Sequence, residues 1–494
     1  MRSYNLCSVQ ILIEGLSMVF SCEIEAFIKN FAKDLAENNV AIFAGAGMSK
    51  GAGYVDWPEL LHDIAEELGL RVEKEFDLIS LAQFHVNQKK SSAGLAKKIL
   101  EEFSEQAEPS LTHEILARLP IRTYWTTNYD SLIEDALRNA CRVADVKHSI
   151  LQMNTSRPKR DAVVYKMHGD ATVSSEAILY KEQYERYYRT HEPFITALSG
   201  DLISKTFLFI GFSFSDPNLD YVLSRLHVHK STRSHYCFMR REAIVAGDDE
   251  VAAKYKARKQ ELRVDDLKRF GIQTLLIDSY EDIPFILEAI EKRFRKKTVF
   301  VSGSAEEFGD WTRQEAQTFI HSMAASLVVQ NARVVNGFGW GIGSAVINGA
   351  LEAIYSSPDR YSEDQLVMRP FPQFASNSQD LQQLWEQYRQ RMITLAGIAI
   401  FVFGNKSDKD GRIIEANGVI REFEIAVERG LVPIPIGATG YAALKIWHMV
   451  SKKPDDYYKG IPWIVPLIAE LADPDVIRTD LVVKLSHIIQ RLNK

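Results

Sequence analysis

Residues 40–53 read VAIFAGAGMSKGAG, an apolar run that passes directly into a glycine-rich turn. A short apolar run bounded by turn residues is typical of a strand that is buried on both faces of a parallel sheet. Glycines at a strand-to-helix turn let the backbone approach a pyrophosphate, whose charge is favoured at a helix N-terminus. Because the spacing departs from the GxGxxG fingerprint, two interpretations stay open at this point, a nucleotide site and a tight turn without a ligand.

The same pattern recurs along the chain and then restarts. Helical patterns separate further apolar runs, which lie at residues 122–127, 162–167, 206–210, 235–239 and 272–277. After the charged stretch EKRFRKK at 291–297, new apolar runs follow at residues 298–301, 332–335, 397–403 and 431–436. Strands that alternate with helices form parallel sheets with helices on both faces. The pattern therefore predicts an α/β chain of two Rossmann-like, doubly wound parallel-sheet domains.

Length and composition limit the class of protein. A chain of 494 residues exceeds one ordinary hydrophobic core. We predict an N-terminal extension over residues 1–22, a first domain over 23–296 and a second domain over 297–494. The net charge of −6 argues against a nucleic-acid partner, and the four cysteines form no CxxC pair that would indicate a zinc site. Since no apolar run approaches the ~20 residues of a membrane span, we expect a cytoplasmic protein that needs neither membrane nor metal.

Polar residues follow three more of the predicted strands in the first domain. The segment YWTTNYD ends in Asn128 and Asp130, KMHGD contains His168, and GFSFSDPN begins at Gly211. The carboxyl ends of parallel strands meet at one edge of the sheet, where such folds bind their ligands. A single histidine there is more often a structural residue. Four consecutive strand ends with glycine, amide, imidazole and carboxylate groups nevertheless favour the nucleotide site over the empty turn.

These motifs resemble those of the sirtuin family. GAGMS is similar to the family's GAG-x-S loop, TTNYD to its Asn-x-Asp element, KMHGD to its His-Gly segment and GFSFSDPN to its Gly-x-Ser turn. The resemblance covers about residues 25–290 and implies that NAD is the substrate, with Asn128 and His168 as the catalytic pair. The NAD site implied in this way is lined by Gly45, Ala46, Gly47, Ser49, Asp130, Gly211, Ser213 and Asp216.

The chemistry of NAD cleavage suits this pair. Loss of nicotinamide leaves an oxocarbenium-like ribose carbon, so a site must position the reactants and transfer a proton. The Asn128 amide can hold a water or a ribose hydroxyl, and the His168 imidazole can accept a proton near neutral pH.

Two departures from the sirtuin pattern bear on the reaction. Deacylating sirtuins carry two CxxC pairs that bind zinc beside the acyl-peptide groove, and this chain has none. Residues 54–58 read YVDWP where the family has Gly-x-Pro-x-Phe-Arg. Attack by water is therefore favoured, which predicts an NAD+ hydrolase that releases nicotinamide and ADP-ribose. Two alternatives stay open, an NAD-dependent protein deacylase and a non-catalytic nucleotide-sensing scaffold.

The second domain has its own glycine-rich turns. A predicted strand ends in Ser302-Gly303-Ser304, and the next leads into GFGWGIGS, which contains Gly339 and Gly341. Alternating glycines can expose backbone N–H groups to an anion, although a loop without a ligand has the same composition. Arg389 and Lys406 would suit phosphates, and Glu422 would accept ribose hydroxyls, although the default interpretation of any one charge is solvated surface.

This half resembles the SLOG superfamily, whose enzymatic members use a PGGxGTxxE motif. The Pro-Gly-Gly core is absent here, which favours binding over catalysis. A sirtuin-like domain followed by a SLOG domain is similar to the effectors of the bacterial Thoeris anti-phage systems. That resemblance implies NAD depletion switched on by a cyclic ADP-ribose-type signal from a TIR-domain partner protein. It implies a homo-oligomer, of which a tetramer is one form, and signal ligands Ser302, Gly303, Ser304, Gly339, Gly341, Arg389, Lys406 and Glu422.

Overall fold

A computed structural model of the chain describes residues 10–13, 16–103, 107–214, 216–228, 233–242, 250–372, 374, 380–473 and 478–494. They form two compact units: one comprises Ser21–Glu291, and the other comprises Lys292–Lys494 with the described residues before Ser21. Those first residues form an antiparallel hairpin of β1 (Gln10–Ile13) and β2 (Leu16–Val19). In the described part of the chain, no helix has both the length and the apolar character of a membrane span.

The first unit is built on a parallel sheet of seven strands. In chain order they are β3 (Val40–Ala44), β4 (Thr123–Thr126), β5 (Ala144–Lys147), β6 (Ala162–Lys166), β7 (Thr206–Ile210), β8 (His235–Arg240) and β9 (Ile272–Ile277). Their spatial order is β5-β6-β4-β3-β7-β8-β9, with every neighbouring pair parallel. The chain leaves β3 towards β4 and later returns to β7 on its other side. Since ligands bind at such a switch point, the sheet directs attention to the carboxyl end of β3.

Helices surround this sheet. They are α1 (Cys22–Ala36), α2 (Ala46–Lys50), α3 (Trp57–Leu60), α4 (His62–Glu67), α5 (Leu78–Lys89), α6 (Ala93–Glu102), α7 (Leu111–Arg118), α8 (Leu132–Asn139), α9 (Ile150–Met153), α10 (Lys181–Thr190), α11 (Glu192–Ser204), α12 (Pro217–Val228), α13 (Glu250–Lys268) and α14 (Asp282–Arg295). Helix α1 shows why such helices form here. The Ser21 hydroxyl caps α1 by accepting from the Ile24 N–H, and Phe27, Phe31 and Leu35 recur at helical spacing on its buried face.

The second unit contains a smaller parallel sheet. Its strands are β10 (Thr298–Ser304), β11 (Arg333–Asn336), β12 (Leu366–Met368), β13 (Ile398–Phe403) and β16 (Val432–Pro435), in the order β12-β11-β10-β13-β16. The strands β14 (Asn405–Ser407) and β15 (Ile413–Glu415) form a separate antiparallel pair. The inner strand β13, which lies between β10 and β16, is buried at every position, because it lies within an apolar core that helices cover. Two parallel α/β sheets confirm the predicted fold class.

The helices of the second unit are α15 (Arg313–Val329), α16 (Gly343–Ser356), α17 (Leu381–Ile393), α18 (Asn417–Glu428), α19 (Tyr441–Lys452), α20 (Pro454–Tyr457), α21 (Val465–Ala469) and α22 (Arg478–Leu492). A capping box of Thr312 and Glu315 begins α15. A Cβ on Gly349 of α16 would lie 2.1 Å from the His321 carbonyl oxygen. This glycine therefore permits the close approach of α16 to α15.

Candidate functional site

The glycine turn after β3 contacts the loop after β7 through backbone atoms. The Gly45 N–H donates to the Ile210 carbonyl (2.9 Å), and the Gly47 N–H donates to the Gly211 carbonyl (2.9 Å). A Cβ on Gly45 would lie 2.5 Å from the Gly211 oxygen, and one on Gly211, at φ +64, would lie 2.1 Å from the Met48 nitrogen. The glycines thus allow two neighbouring strand ends to touch, with Ala46 beginning α2 between them.

Asn128 extends this contact from the end of β4. Its Nδ2 donates to the Gly45 carbonyl (3.0 Å) and to Ser49 Oγ (2.7 Å). Ser49 Oγ donates in turn to Asp130 Oδ2 (2.6 Å), whose other oxygen accepts from the Leu132 N–H (3.0 Å). This chain of hydrogen bonds holds the Asn128 amide in one orientation. Its Oδ1 is buried and has no hydrogen-bond partner among the described residues. An unpaired buried acceptor is costly, so this atom is suited to accept from a ligand.

His168 follows β6 and is enclosed, with 1% of its surface exposed. Its Nε2 lies 3.3 Å from Asp216 Oδ2 and 3.5 Å from Asn218 Nδ2, and its Nδ1 lies 3.5 Å from the Tyr184 hydroxyl. The rings of Tyr184 and Tyr187 pack edge-on against the imidazole. Burial lowers the pKa of His168, and the Asp216 carboxylate opposes that shift. The enclosure therefore favours a neutral imidazole whose two nitrogens both face protein groups.

The segment after β7 encloses His168. Asp216 Oδ1 accepts from the backbone N–H groups of Asn218 (2.9 Å) and Leu219 (3.0 Å) at the start of α12, which leaves its Oδ2 towards His168. On the same segment Ser213 is exposed, and its carbonyl accepts from the Arg263 guanidinium.

The sequence alone did not identify Tyr184, Tyr187 or Asn218 as neighbours of His168. Tyrosines at helical spacing in KEQYERYYRT are typical of any amphipathic helix, so no local signal could have identified them.

A polar cluster in the second unit joins three of the predicted ligands. Ser302 Oγ donates to Glu422 Oε2 (2.5 Å), and Arg389 Nε lies 3.5 Å from Glu422 Oε1. The Arg389 guanidinium also lies over the Phe371 ring, 5.2 Å from its centroid. Burial raises the pKa of Glu422, while the Ser302 hydrogen bond and the Arg389 charge oppose the shift. A cation on α17, a carboxylate on α18 and a hydroxyl on β10 can together bind phosphate and ribose groups.

Four more of the predicted ligands lie at the end of β10 (Gly303 and Ser304) and in the loop after β11 (Gly339 and Gly341). A Cβ on Gly303 would lie 2.3 Å from the Val402 oxygen, one on Gly339 1.9 Å from the Gly303 oxygen, and one on Gly341, at φ +74, 1.9 Å from the Ala305 oxygen. Gly339 and Gly341 therefore let the loop after β11 pack on the end of β10, and Gly303 permits the close approach of β13. Ser304 Oγ donates to the Asn405 carbonyl (2.9 Å).

Lys406 makes no described contact with the Arg389–Glu422 cluster. It lies on β14 and is exposed, and its ammonium has no ion pair or hydrogen bond with any residue that the structure describes. The structure thus brings together Ser302, Arg389 and Glu422 without Lys406.

Comparison with known proteins finds two families that match successive parts of the chain. A family described as SIR2-like domain matches residues 122–263, and the Sir2- and TIR-associating SLOG family matches residues 282–492. The predicted order of a sirtuin-like domain before a SLOG domain is thereby confirmed.

Three relatives span almost the whole chain, and each is named NAD(+) hydrolase ThsA. The protein from Bacillus cereus (strain MSX-D12) is 48% identical, with 88% of this chain and 91% of that protein covered. The protein from Cytobacillus dafuensis is 42% identical, with coverage of 98% and 99%. The protein from Acinetobacter baumannii (strain 532279) is 45% identical, with coverage of 89% and 93%. Identity at this level across both units shows that the chain belongs to the ThsA family.

Proposed function

We propose that the first unit hydrolyses NAD+ to nicotinamide and ADP-ribose. The observation that carries this proposal is the buried, unpaired Oδ1 of Asn128, held at the switch point of the sheet by Ser49 and the Gly45 carbonyl. The names of the three relatives, all NAD(+) hydrolases, support the same reaction. NAD is the substrate in this proposal, and no metal takes part.

Each of the two catalytic residues supplies a different function. Asn128 Oδ1 accepts a hydrogen bond from the attacking water or from a ribose hydroxyl, which orients it towards the reacting carbon. The water oxygen bonds to the ribose carbon as the bond to nicotinamide breaks, and His168 accepts the proton that this water, or a ribose hydroxyl, loses. A neutral imidazole is the form that can do so. The Gly45–Gly47 turn and Gly211 lie beside the pyrophosphate, with Ala46, Ser49, Asp130, Ser213 and Asp216 completing the site.

The reaction requires a change around His168. Both imidazole nitrogens face protein groups, and the side chain is buried, so a substrate can reach it only after the segment containing Asp216 and Asn218 moves. We therefore propose that the described conformation is a resting state. A cyclic ADP-ribose-type signal, bound by Ser302, Gly303, Ser304, Gly339, Gly341, Arg389, Lys406 and Glu422, activates the enzyme by binding the active state more tightly than the resting one.

The proposed biological setting follows from the family. A TIR-domain partner protein makes the signal, and the activated enzyme depletes cytoplasmic NAD during phage infection. The functional protein is a homo-oligomer, and the functional domains comprise residues 23–296 and 297–494 after an extension over residues 1–22. Two alternatives are a deacylase, which would require an acylated peptide and release O-acyl-ADP-ribose, and a nucleotide-sensing scaffold, for which Asn128 and His168 would be dispensable.

The test measures nicotinamide and ADP-ribose released from NAD by the full chain, with and without cyclic ADP-ribose isomers. We expect release that rises with one isomer and is lost in Asn128→Ala and His168→Ala. A matched control is His235→Ala, because His235 is also buried but begins β8, at the opposite edge of the sheet. Activity that survives in folded His168→Ala protein would contradict the assigned roles. NAD binding without release under any signal would favour the scaffold, and release only with an acylated peptide would favour the deacylase.

A further inference from the structure

A fully buried lysine lies between the two catalytic segments. Lys166 ends β6, two residues before His168, and is 0% exposed. Its Nζ donates to the carbonyl oxygens of Tyr129 (3.1 Å) and Asp130 (2.6 Å), the two residues that follow Asn128. It also donates to Asp170 Oδ2 (2.5 Å), on the segment that follows His168. One ammonium group thus contacts both catalytic segments.

Further hydrogen bonds hold the Tyr129 carbonyl and the Asp170 carboxylate in place beside the Lys166 ammonium. The Tyr129 carbonyl also accepts from the Ala171 N–H (3.0 Å), next to Asp170. Asp170 Oδ1 accepts from the Thr172 N–H (2.9 Å) and hydroxyl (2.6 Å), so the carboxylate is held from both sides. The segment between Lys166 and Asp170 turns at Gly169, with φ +92. The position of the ammonium therefore sets the path of the chain on either side of His168.

The groups that face Lys166, two carbonyl oxygens and two carboxylates, require a positively charged donor. Glu134 Oε1 lies 3.3 Å from Nζ, so two carboxylates face one buried cation. Burial lowers the pKa of Lys166, but the charges of Glu134 and Asp170 outweigh that effect and raise it. A buried ion pair is weak evidence for stability, because apolar side chains of similar volume often fill such a site equally well. An apolar side chain could not bond to the Tyr129 and Asp130 carbonyls.

We propose that Lys166 is a positioning residue for NAD cleavage, which holds the Asn128 and His168 segments at the separation that the reaction needs. The inference rests on the proposed function of the first unit. Lys166 is not itself a catalytic residue, because all three donors of its ammonium are used by the Tyr129 and Asp130 carbonyls and the Asp170 carboxylate. It acts through Asp130, whose carboxylate bonds to Ser49 while its carbonyl bonds to Lys166, and through Asp170.

The chain offers a matched control in Lys147, another buried lysine of the same sheet. Lys147 ends β5, the strand beside β6, and pairs with Asp145 Oδ1 (2.8 Å) and the Thr155 carbonyl (2.5 Å). Its partners belong to neither catalytic segment. Lys147→Met and Lys166→Met each remove one buried cation from the sheet, although Asp145 keeps Arg160 as a partner (3.4 Å). A purely structural role therefore predicts that the loss of kcat follows the loss of stability in both variants.

The experiment compares Lys166→Met with Lys147→Met in the full chain with an activating cyclic isomer. We expect kcat for nicotinamide release to fall about 100-fold in Lys166→Met, because displacement of reacting groups by about 1 Å has an effect of that order. KM for NAD should change less than about threefold, and Lys147→Met should stay within about threefold of the parent kcat. Equal losses of kcat in the two variants, or no loss in Lys166→Met, would overturn the proposal.

A second pair keeps the test decisive if Lys166→Met does not fold. Asp170→Asn and Glu134→Gln each remove one carboxylate from the same ammonium, but only Asp170 adjoins His168. We expect at least a tenfold lower kcat in Asp170→Asn than in Glu134→Gln, and equal values would contradict the positioning role.

Amide hydrogen exchange gives a readout that does not depend on turnover. In Lys166→Met, or in Asp170→Asn if needed, the segments 128–131 and 168–171 should both exchange faster, which Lys147→Met and Glu134→Gln should not cause. A parent protein that releases no nicotinamide would refute the proposed function, while the exchange data would still decide whether Lys166 holds the two segments. Unchanged exchange in both segments would refute the positioning role.

Discussion

Substitution of Gly211 by alanine would test whether contact between two strand ends forms the NAD site. At φ +64, an alanine costs about 1–2 kcal/mol in backbone strain. Its Cβ would lie 2.1 Å from the Met48 nitrogen and 2.6 Å from the Gly47 carbonyl carbon, so the glycine turn must move by roughly 1 Å. Overpacking of this kind costs about 1–3 kcal/mol, which gives a total of about 2–5 kcal/mol.

The expected loss of activity has the same geometric cause. The Gly45 carbonyl in the glycine turn accepts a hydrogen bond from the Asn128 amide, so displacement of the turn moves the side chain that we propose to be catalytic. A shift of about 1 Å should lower kcat/KM for NAD about 100-fold. Gly69→Ala is the matched control, because Gly69 has φ +71 in the same unit and no heavy atom within 4 Å of an added Cβ. It should lose only the strain contribution of about 1–2 kcal/mol and keep its turnover.

The assay combines urea denaturation of the full chain with nicotinamide release in the presence of an activating cyclic isomer. Denaturation followed by tryptophan fluorescence and by hydrogen exchange assigns the loss to the first unit. If Gly211→Ala unfolds at the same denaturant concentration as Gly69→Ala and hydrolyses NAD at the parent rate, the contact between these strand ends does not form the site.

Three further predictions concern His168, Arg389 and His113. Because burial lowers the pKa of His168 below the usual 6.5 in the described conformation, NMR of the protein without a signal should show this imidazole titrating below pH 6.5. Asp216→Asn, which removes the charge that opposes this shift, should lower the pKa further, and titration of His168 above pH 6.5 would contradict the resting conformation described. Arg389→Gln should abolish stimulation by a cyclic isomer in a nicotinamide-release assay while NAD affinity, measured by calorimetry, stays within threefold; retained stimulation would exclude Arg389 as a ligand. Burial lowers the pKa of His113 to about 4, so below pH 6.5 the unfolded chain binds a proton that the folded chain does not. The free energy of unfolding therefore falls as the pH drops from 6.5 towards 4. Urea denaturation at pH 7.5 and 4.5 should show that loss, about 3 kcal/mol, and His113→Gln should flatten the dependence; an equal dependence in both proteins would refute it.

Two of the strands that the sequence predicts correctly, β3 and β13, are buried at every position. They are continuous apolar runs, which can be recognised without tertiary information. The partly exposed strands β12, β14 and β15 lack such a run and were not predicted. Between β3 and β4, the helices α3 and α4 are separated only by Leu61, where the backbone leaves the helical conformation.

The sequence by itself determined which chemical groups stand at the carboxyl edge of the sheet in the first unit, where we propose that NAD binds. Parallel strands end at the same edge, so the residues after β3, β4, β6 and β7 could be assigned to one site from their order in the chain. Only the tertiary structure decided how those groups are used. The contacts of Asp216 with His168, of Lys166 with the Tyr129 and Asp130 carbonyls, and of Arg389 with Glu422 join side chains that are far apart in the chain or lie on irregular segments. Strand periodicity places a residue at an edge, but the neighbours of each polar atom depend on how the helices and loops pack around it.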